Sequence, residues 1–224
     1  MKYRKLGHTD IDVSVICLGT MTWGEQNIPE ESFEQMDYAI SRGVNFFDTA
    51  ELYAIPPRAE TYGRTEEIIG QWFKARGNRE QVILASKIAG PGEDWIPHIR
   101  NGKTRFNRID IASALDASLQ RLHTDYLDLY QLHWPQRQAN FFGKLGFEIP
   151  TDEQMTPILE TLEALAEQVK AGKIRHIGLS NETPWGLMSF LHAADQAGLP
   201  RIVSVQNPYS LLKRSYEIGL AEAS

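Results

Sequence analysis

The sequence of 224 residues is poor in cysteine. Cys17 stands alone, so no intrachain disulfide can brace the fold, and a reducing, cytoplasmic setting is the expectation. Long apolar runs are missing too: none approaches the roughly 18 residues that a membrane-spanning helix needs. The first residues, MKYRKLGHTDID, are polar and lack the apolar stretch of a signal peptide. Positive charge is not in excess either. Lys and Arg number 23 against 29 Asp and Glu, a net charge of −6, which gives no reason to expect nucleic acid or an anionic membrane as partner. The six histidines are scattered without an H-x-x-x-H pair, so no metal site is expected. G-x-S-x-G is absent, which removes the serine-hydrolase elbow. G-x-G-x-x-G does not follow the first apolar run, where CLGTMTWG has other spacing, so the usual dinucleotide fingerprint is also lacking.

What is present is alternation. Short runs rich in Val, Ile, Leu, Tyr and Phe occur at 13–19, 44–48, 82–87, 126–134, 175–180 and 202–207, and each predicts a strand. Between them, 31–43, 64–77, 110–122, 157–173 and 182–198 place apolar residues three and four apart, as helices do. Gly43 and Gly77 close the first two, while Thr183 and Pro184 sit where a helix cap and a first helical residue belong. Repeated strand–helix order is the mark of parallel βα units. It suits a doubly wound open sheet or a (β/α)8 TIM barrel, and order alone does not separate them.

The placement of polar residues leans towards the barrel. Asp48, Lys87, His133, Ser180 with Asn181, and Gln206 all fall at the C-terminal ends of different strands, which a barrel gathers on one face. The sixth strand ends near Asn207, however, and two more βα units need roughly 60 residues. The expectation is a barrel stopping at about six units, a single domain over 1–224 that is C-terminally incomplete, or one whose open edge a second copy covers as a homo-oligomer.

Four of these residues make chemical sense together. A free phenol such as that of Tyr53 has a pKa near 10 and donates its proton poorly at neutral pH. An ammonium beside it, from Lys87, is expected to stabilise the phenolate and lower that value. Asp48 would keep the lysine charged, and His133 would orient a substrate oxygen. Such a set protonates a carbonyl oxygen while hydride reaches carbon, which implies a nicotinamide cofactor. Singly, each has a plainer reading: a cap or polar turn for Asp48, solvation for Lys87, packing for Tyr53 and a core histidine for His133. A Schiff-base role for Lys87 on a barrel strand is conceivable, but the tyrosine–aspartate pairing fits reduction better.

FFDTAELY, LASK and DLYQLHWP, with GKIRHIGLSN and VSVQNPYS, resemble the aldo-keto reductase superfamily, and HWPQR, FGKLGF and QNPYSLLKRSYEIGLAE are most similar to its bacterial Tas-type members. The resemblance implies an NADPH-dependent (NADP+-forming) reductase of small-molecule carbonyl substrates. Tyr53 would be the acid, Lys87 its partner, Asp48 the counter-ion and His133 the orienting group. It implies that Ser180, Asn181 and Gln206 hold the nicotinamide carboxamide, that Gly19, Thr20 and Met21 pass beside it, and that the opening segment closes the barrel floor as a hairpin. The family's seventh strand and the segment after its eighth, which complete the cofactor site, have no counterpart here. Preference for NADPH over NADH therefore comes from the resemblance alone. A catalytically impaired fragment, or a binding or regulatory protein on the same fold, is the alternative.

Trp23 and Trp134, with Tyr53, are expected to wall the substrate pocket rather than to pack the barrel end. The irregular stretch 135–154 reads as a gate over the active face or an oligomer contact, and the basic residues of 89–107, Arg100 and Lys103, are expected to be solvated.

Overall fold

A computed structural model of the chain describes residues 1–149 and 155–224. The chain opens on an antiparallel hairpin, β1 (Tyr3–Lys5) and β2 (Asp12–Ser14), and then enters β3 (Cys17–Gly19). The single strand expected over 13–19 is therefore two strands. Ser14 explains the break. Its Oγ donates to the Ile16 carbonyl at 2.6 Å and its N–H donates to Asn45 Oδ1 at 2.7 Å. Such side-chain bonds compete with a strand ladder and bend the chain.

Six parallel strands follow one another in space as in sequence: β3, β4 (Phe46–Asp48), β5 (Ile83–Ile88), β6 (Leu127–Leu132), β7 (Ile174–Ser180) and β8 (Ile202–Gln206). Helices α1 (Pro29–Ser41), α2 (Arg64–Arg76), α3 (Arg108–Leu122), α4 (Ile158–Lys170) and α5 (Pro184–Ala197) make the crossovers, and a short α6 (Leu220–Ala223) ends the chain. A doubly wound sheet would reverse strand order at a switch point, and this sheet never does. It is a curled half-barrel with helices outside. β3 and β8 are its two edges, and residues of both border an inner cavity of about 630 Å³.

Strand periodicity of two sorts the side chains. On β4, Phe47 turns outward to the helices, its ring 5.9 Å from that of Trp72 on α2. Phe46 turns inward and packs in the cluster of Leu6, Val13, Ala85 and Leu129, through which the hairpin fills the floor of the half-barrel. Gly7, in the hairpin turn, lies against β8; a Cβ there would stand 2.4 Å from the Val203 carbonyl oxygen. At the foot of the sheet the buried Asp128 accepts from Arg79 at 3.0 Å, Arg175 at 2.7 Å and the Leu84 N–H at 2.9 Å. Both guanidinium groups stack on the Tyr126 ring at 4.2 Å. Helix ends follow local rules. Thr183 Oγ1 accepts from the Gly186 N–H at 3.2 Å, capping α5 as expected, and Gly77 closes α2 with φ 62°.

At Gly70, α2 lies directly against the backbone at the end of α3. A Cβ there would lie 2.1 Å from the Arg121 carbonyl oxygen and 2.9 Å from the Leu122 Cα, both backbone atoms that a rotamer change cannot move. Gly70→Ala should therefore destabilise the chain by about 1–3 kcal/mol despite the better helix propensity of alanine. Urea unfolding at unchanged m-value is the check.

Candidate active site

The parallel register brings the strand ends level: Gly19 lies beside Asp48, Lys87 beside Gln131, and Ser180 beside Gln206. Lys87 is 1% exposed, and its ammonium donates to Asp48 Oδ2 at 2.7 Å, to the Thr49 carbonyl at 2.8 Å and to Tyr53 Oη at 3.4 Å. Asp48 Oδ1 accepts from Gln131 Nε2 at 3.3 Å, so the carboxylate is held from two strands besides its own. Burial works against the lysine charge, but Asp48 and Tyr53 more than offset it and raise the Lys87 pKa above its ordinary value. For Tyr53 the expected direction is reversed. Burial pushes the phenol above its usual 10, and the pull of Lys87 towards lower values is the smaller effect. His133 follows β6 with its ring edge-on to that of Tyr53, 5.5 Å between centroids. Burial, helped by Lys87, holds its imidazole well below the usual 6.5, so it is neutral, and its Nδ1 is buried without a partner.

Tyr53, His133, Met21, Ser180, Asn181 and Gln206 border one cleft of about 540 Å³, whose other walls include Leu52, Ile55, Trp95 and Phe142. Trp23 does not reach it. That side chain is 1% exposed inside the helix-side core, its indole donating to Gln35 Oε1 at 3.0 Å. Trp134 lies behind the wall, donating to the Pro91 carbonyl at 2.9 Å, while Trp95 stacks on it at 5.1 Å and takes the cleft position. Thr20 is likewise turned away: it is buried, and its hydroxyl donates to the Asp48 carbonyl at 2.9 Å, holding that backbone. Gly19 leaves open space where a Cβ would stand. Asn181 spends its amide N–H groups on the His133 carbonyl at 2.9 Å and Ser180 Oγ at 3.1 Å, so its Oδ1 is the group left to face a ligand. The lone thiol, Cys17, is solvent-exposed at the sheet edge and borders the inner cavity near Asp48.

Two residues escaped the sequence reading. Glu51 is fully buried, and Arg100, expected in solvent, reaches across to pair with it; Lys103 is solvent-exposed as expected. From the stretch expected as a gate or an oligomer contact, Phe142 borders the cleft and packs on Trp95 and Trp134, whereas 150–154 of that stretch lie outside the described residues. Among the described residues no His, Cys, Asp or Glu cluster could hold a metal ion, and no helix is long and apolar enough to cross a membrane.

Comparison with known proteins agrees with this architecture. A family model described as the Aldo/keto reductase family matches residues 15–223. The chain is 52% identical over 224 residues to Protein tas of Escherichia coli, which covers 100% of this chain and 64% of that protein. To the uncharacterized oxidoreductase YrpG of Bacillus subtilis it is 36% identical over 227 residues, covering 100% of this chain and 63% of the other. In three dimensions it matches the crystal structure of a thermostable aldo-keto reductase in complex with the inhibitor epalrestat. That match has a TM-score of 0.72 at 33% identity and covers 99% of this chain and 68% of that one. The chain thus spans just under two thirds of the length of these curated relatives.

Lys87→Met would leave the Asp48 carboxylate buried without its counter-ion and should cost about 3–5 kcal/mol, while Lys87→Met with Asp48→Asn should recover much of that loss in chemical denaturation. His133 sets an acid limit. Between its folded pKa and 6.5 the unfolded chain binds a proton there that the folded chain does not, so stability drops as pH falls below 6.5. His133→Asn should lose less Tm than the parent chain between pH ~7.5 and ~5.5.

Proposed function

Because the chain belongs to the aldo/keto reductase family, we propose that it reduces aldehyde or ketone carbonyls to alcohols with NADPH, Tyr53 acting as the acid. The observation that carries this reading is the run Asp48–Lys87–Tyr53, at 2.7 and 3.4 Å, opening beside His133 into a cleft. A phenol held above 10 keeps its proton through the neutral range, so the acid form is present, and Lys87 beside it favours the donation by stabilising the phenolate left behind. His133, neutral and with Nδ1 unpartnered, donates from Nε2 to the substrate oxygen and aims it at Tyr53 Oη. As the carbonyl carbon gains hydride, the phenol proton passes to the oxygen. The phenolate so formed stands next to the Lys87 ammonium, whose charge Asp48 secures.

NADPH supplies the hydride when bound. The opposite wall of the cleft suits a carboxamide: Asn181 has a free Oδ1, Ser180 a hydroxyl, and Asn207 Oδ1 is buried without a partner. Gln206 and Met21 border the same space, and Gly19 has none of the bulk that would close it. The substrate side, with Leu52, Ile55, Trp95 and Phe142, favours an apolar carbonyl compound over a charged one.

NADPH titrated into the purified chain should quench its tryptophan fluorescence to saturation. Tyr53→Phe should lower carbonyl reduction by about 10²–10⁴-fold with the NADPH dissociation constant unchanged. Equal turnover by that variant would remove Tyr53 as the acid, and saturable binding without any turnover would favour a catalytically silent binding protein.

A further inference from the structure

Glu51, two residues before Tyr53, has no part in the proton transfer above, yet it is 0% exposed. A buried carboxylate is stable only when its charge is paired and its lone pairs are filled. Here they are filled by separate parts of the chain. Oε1 accepts from the Ala89 N–H at 2.7 Å and from Arg100 Nη2; Oε2 accepts from Arg100 Nη1 at 3.1 Å and from Tyr62 Oη at 3.3 Å. The Glu51 backbone N–H in turn donates to the Lys87 carbonyl at 3.1 Å. One residue therefore joins three segments. It belongs to the turn that carries Tyr53, it grips β5 at Lys87 and again just beyond that strand at Ala89, and through Arg100 it holds the loop that carries Trp95.

That loop needs holding. Arg100 and Asn101 both adopt the left-handed region, φ 47° and 55°, which is unfavourable for residues with side chains. The Arg100 fork on Glu51, with a bond from its Nε to Thr104 Oγ1 at 3.0 Å, ties this turn to the Tyr53 segment, while the Gly102 and Lys103 N–H groups close it on the Ile99 and Arg100 carbonyls at 2.8 and 3.0 Å. Trp95, upstream in the same loop, reaches the cleft by stacking on Trp134.

We propose that Glu51 is a positioning residue, which sets the spacing of Tyr53 and Lys87 and seats the Trp95 wall through Arg100. One carboxylate then places the acid and the substrate wall together. The inference rests on the reductase reading for the role of Tyr53, but the seating of Trp95 does not depend on it.

Three variants separate positioning from mere charge neutralisation: Glu51→Gln, Arg100→Met and the two combined. The double variant removes both buried charges, so it should fold even where a single one is unstable, yet it lacks the bridge. At a temperature where circular dichroism shows each variant folded, kcat for a neutral aromatic aldehyde should fall at least about tenfold in all three. The NADPH dissociation constant should stay within about twofold. In chain labelled with 5-fluorotryptophan, the Trp95 fluorine line (assigned with Trp95→Phe) should move in all three variants, and the Trp72 line should not. A double variant with parental kcat and an unmoved Trp95 line would overturn the proposal, leaving Glu51 and Arg100 as neutralising partners only. If Tyr53→Phe turns over like the parent chain, or the parent shows no turnover, the reductase reading fails instead. The Trp95 line then decides alone: movement supports the seat that Glu51 provides, and no movement overturns it.

Discussion

A lysine ammonium with 1% of its surface exposed is the constraint around which this molecule is arranged. Such a charge survives burial only with a counter-ion and filled donors. Asp48, the Thr49 carbonyl and Tyr53 fill them, and each is delivered by the strand beside β5 or the turn after it. That delivery requires β4 and β5 to be parallel neighbours in a set register, and Thr20 and Gln131 to steady Asp48 from either side. A one-residue slip of β4 would send Asp48 to the helix face and Phe47 into the cavity. The hydrophobic pattern and the ion pair therefore enforce the same register.

Distances explain why the phenol is not acidified. Lys87 is 2.7 Å from Asp48 and 3.4 Å from Tyr53, so most of its field is met by the carboxylate. What remains does not offset the cost of a phenolate in a dry site, and the Tyr53 pKa rises. In the proposed reduction, the lysine's part is to meet the charge that proton donation by Tyr53 would create. Reading the sequence put an ammonium beside a phenol and inferred a lowered pKa, because adjacency is legible in a strand pattern and desolvation is not.

The same divide runs through the rest of the reading. Strand–helix alternation, the cap at Thr183 and the order of Asp48, Tyr53, Lys87 and His133 along successive strand ends are local signals, and the fold follows them. The mistakes concern residues whose partners are far away in sequence. Arg100 looks like any loop arginine until the chain brings it to Glu51, 49 positions earlier. Asp128, which no local pattern singles out, binds together Arg79 and Arg175. Trp23 and Trp134 sit next to motif residues, which suggested a pocket wall. Which side of an aromatic ring faces solvent is decided by what packs across from it, and here Gln35 and Trp95 do.

The Asp128 clasp at the foot of the sheet bears on heat. Apolar contacts gain little as temperature rises, whereas the hydration that charged groups forgo on burial becomes less favourable and so less of a loss. Two guanidinium groups stacked on one ring and sharing one carboxylate thus grow in relative worth on warming. The buried pairs at the cleft end, Lys87–Asp48 and Arg100–Glu51, follow the same rule, so both ends of the sheet carry an ionic clasp whose share of the stability rises with temperature.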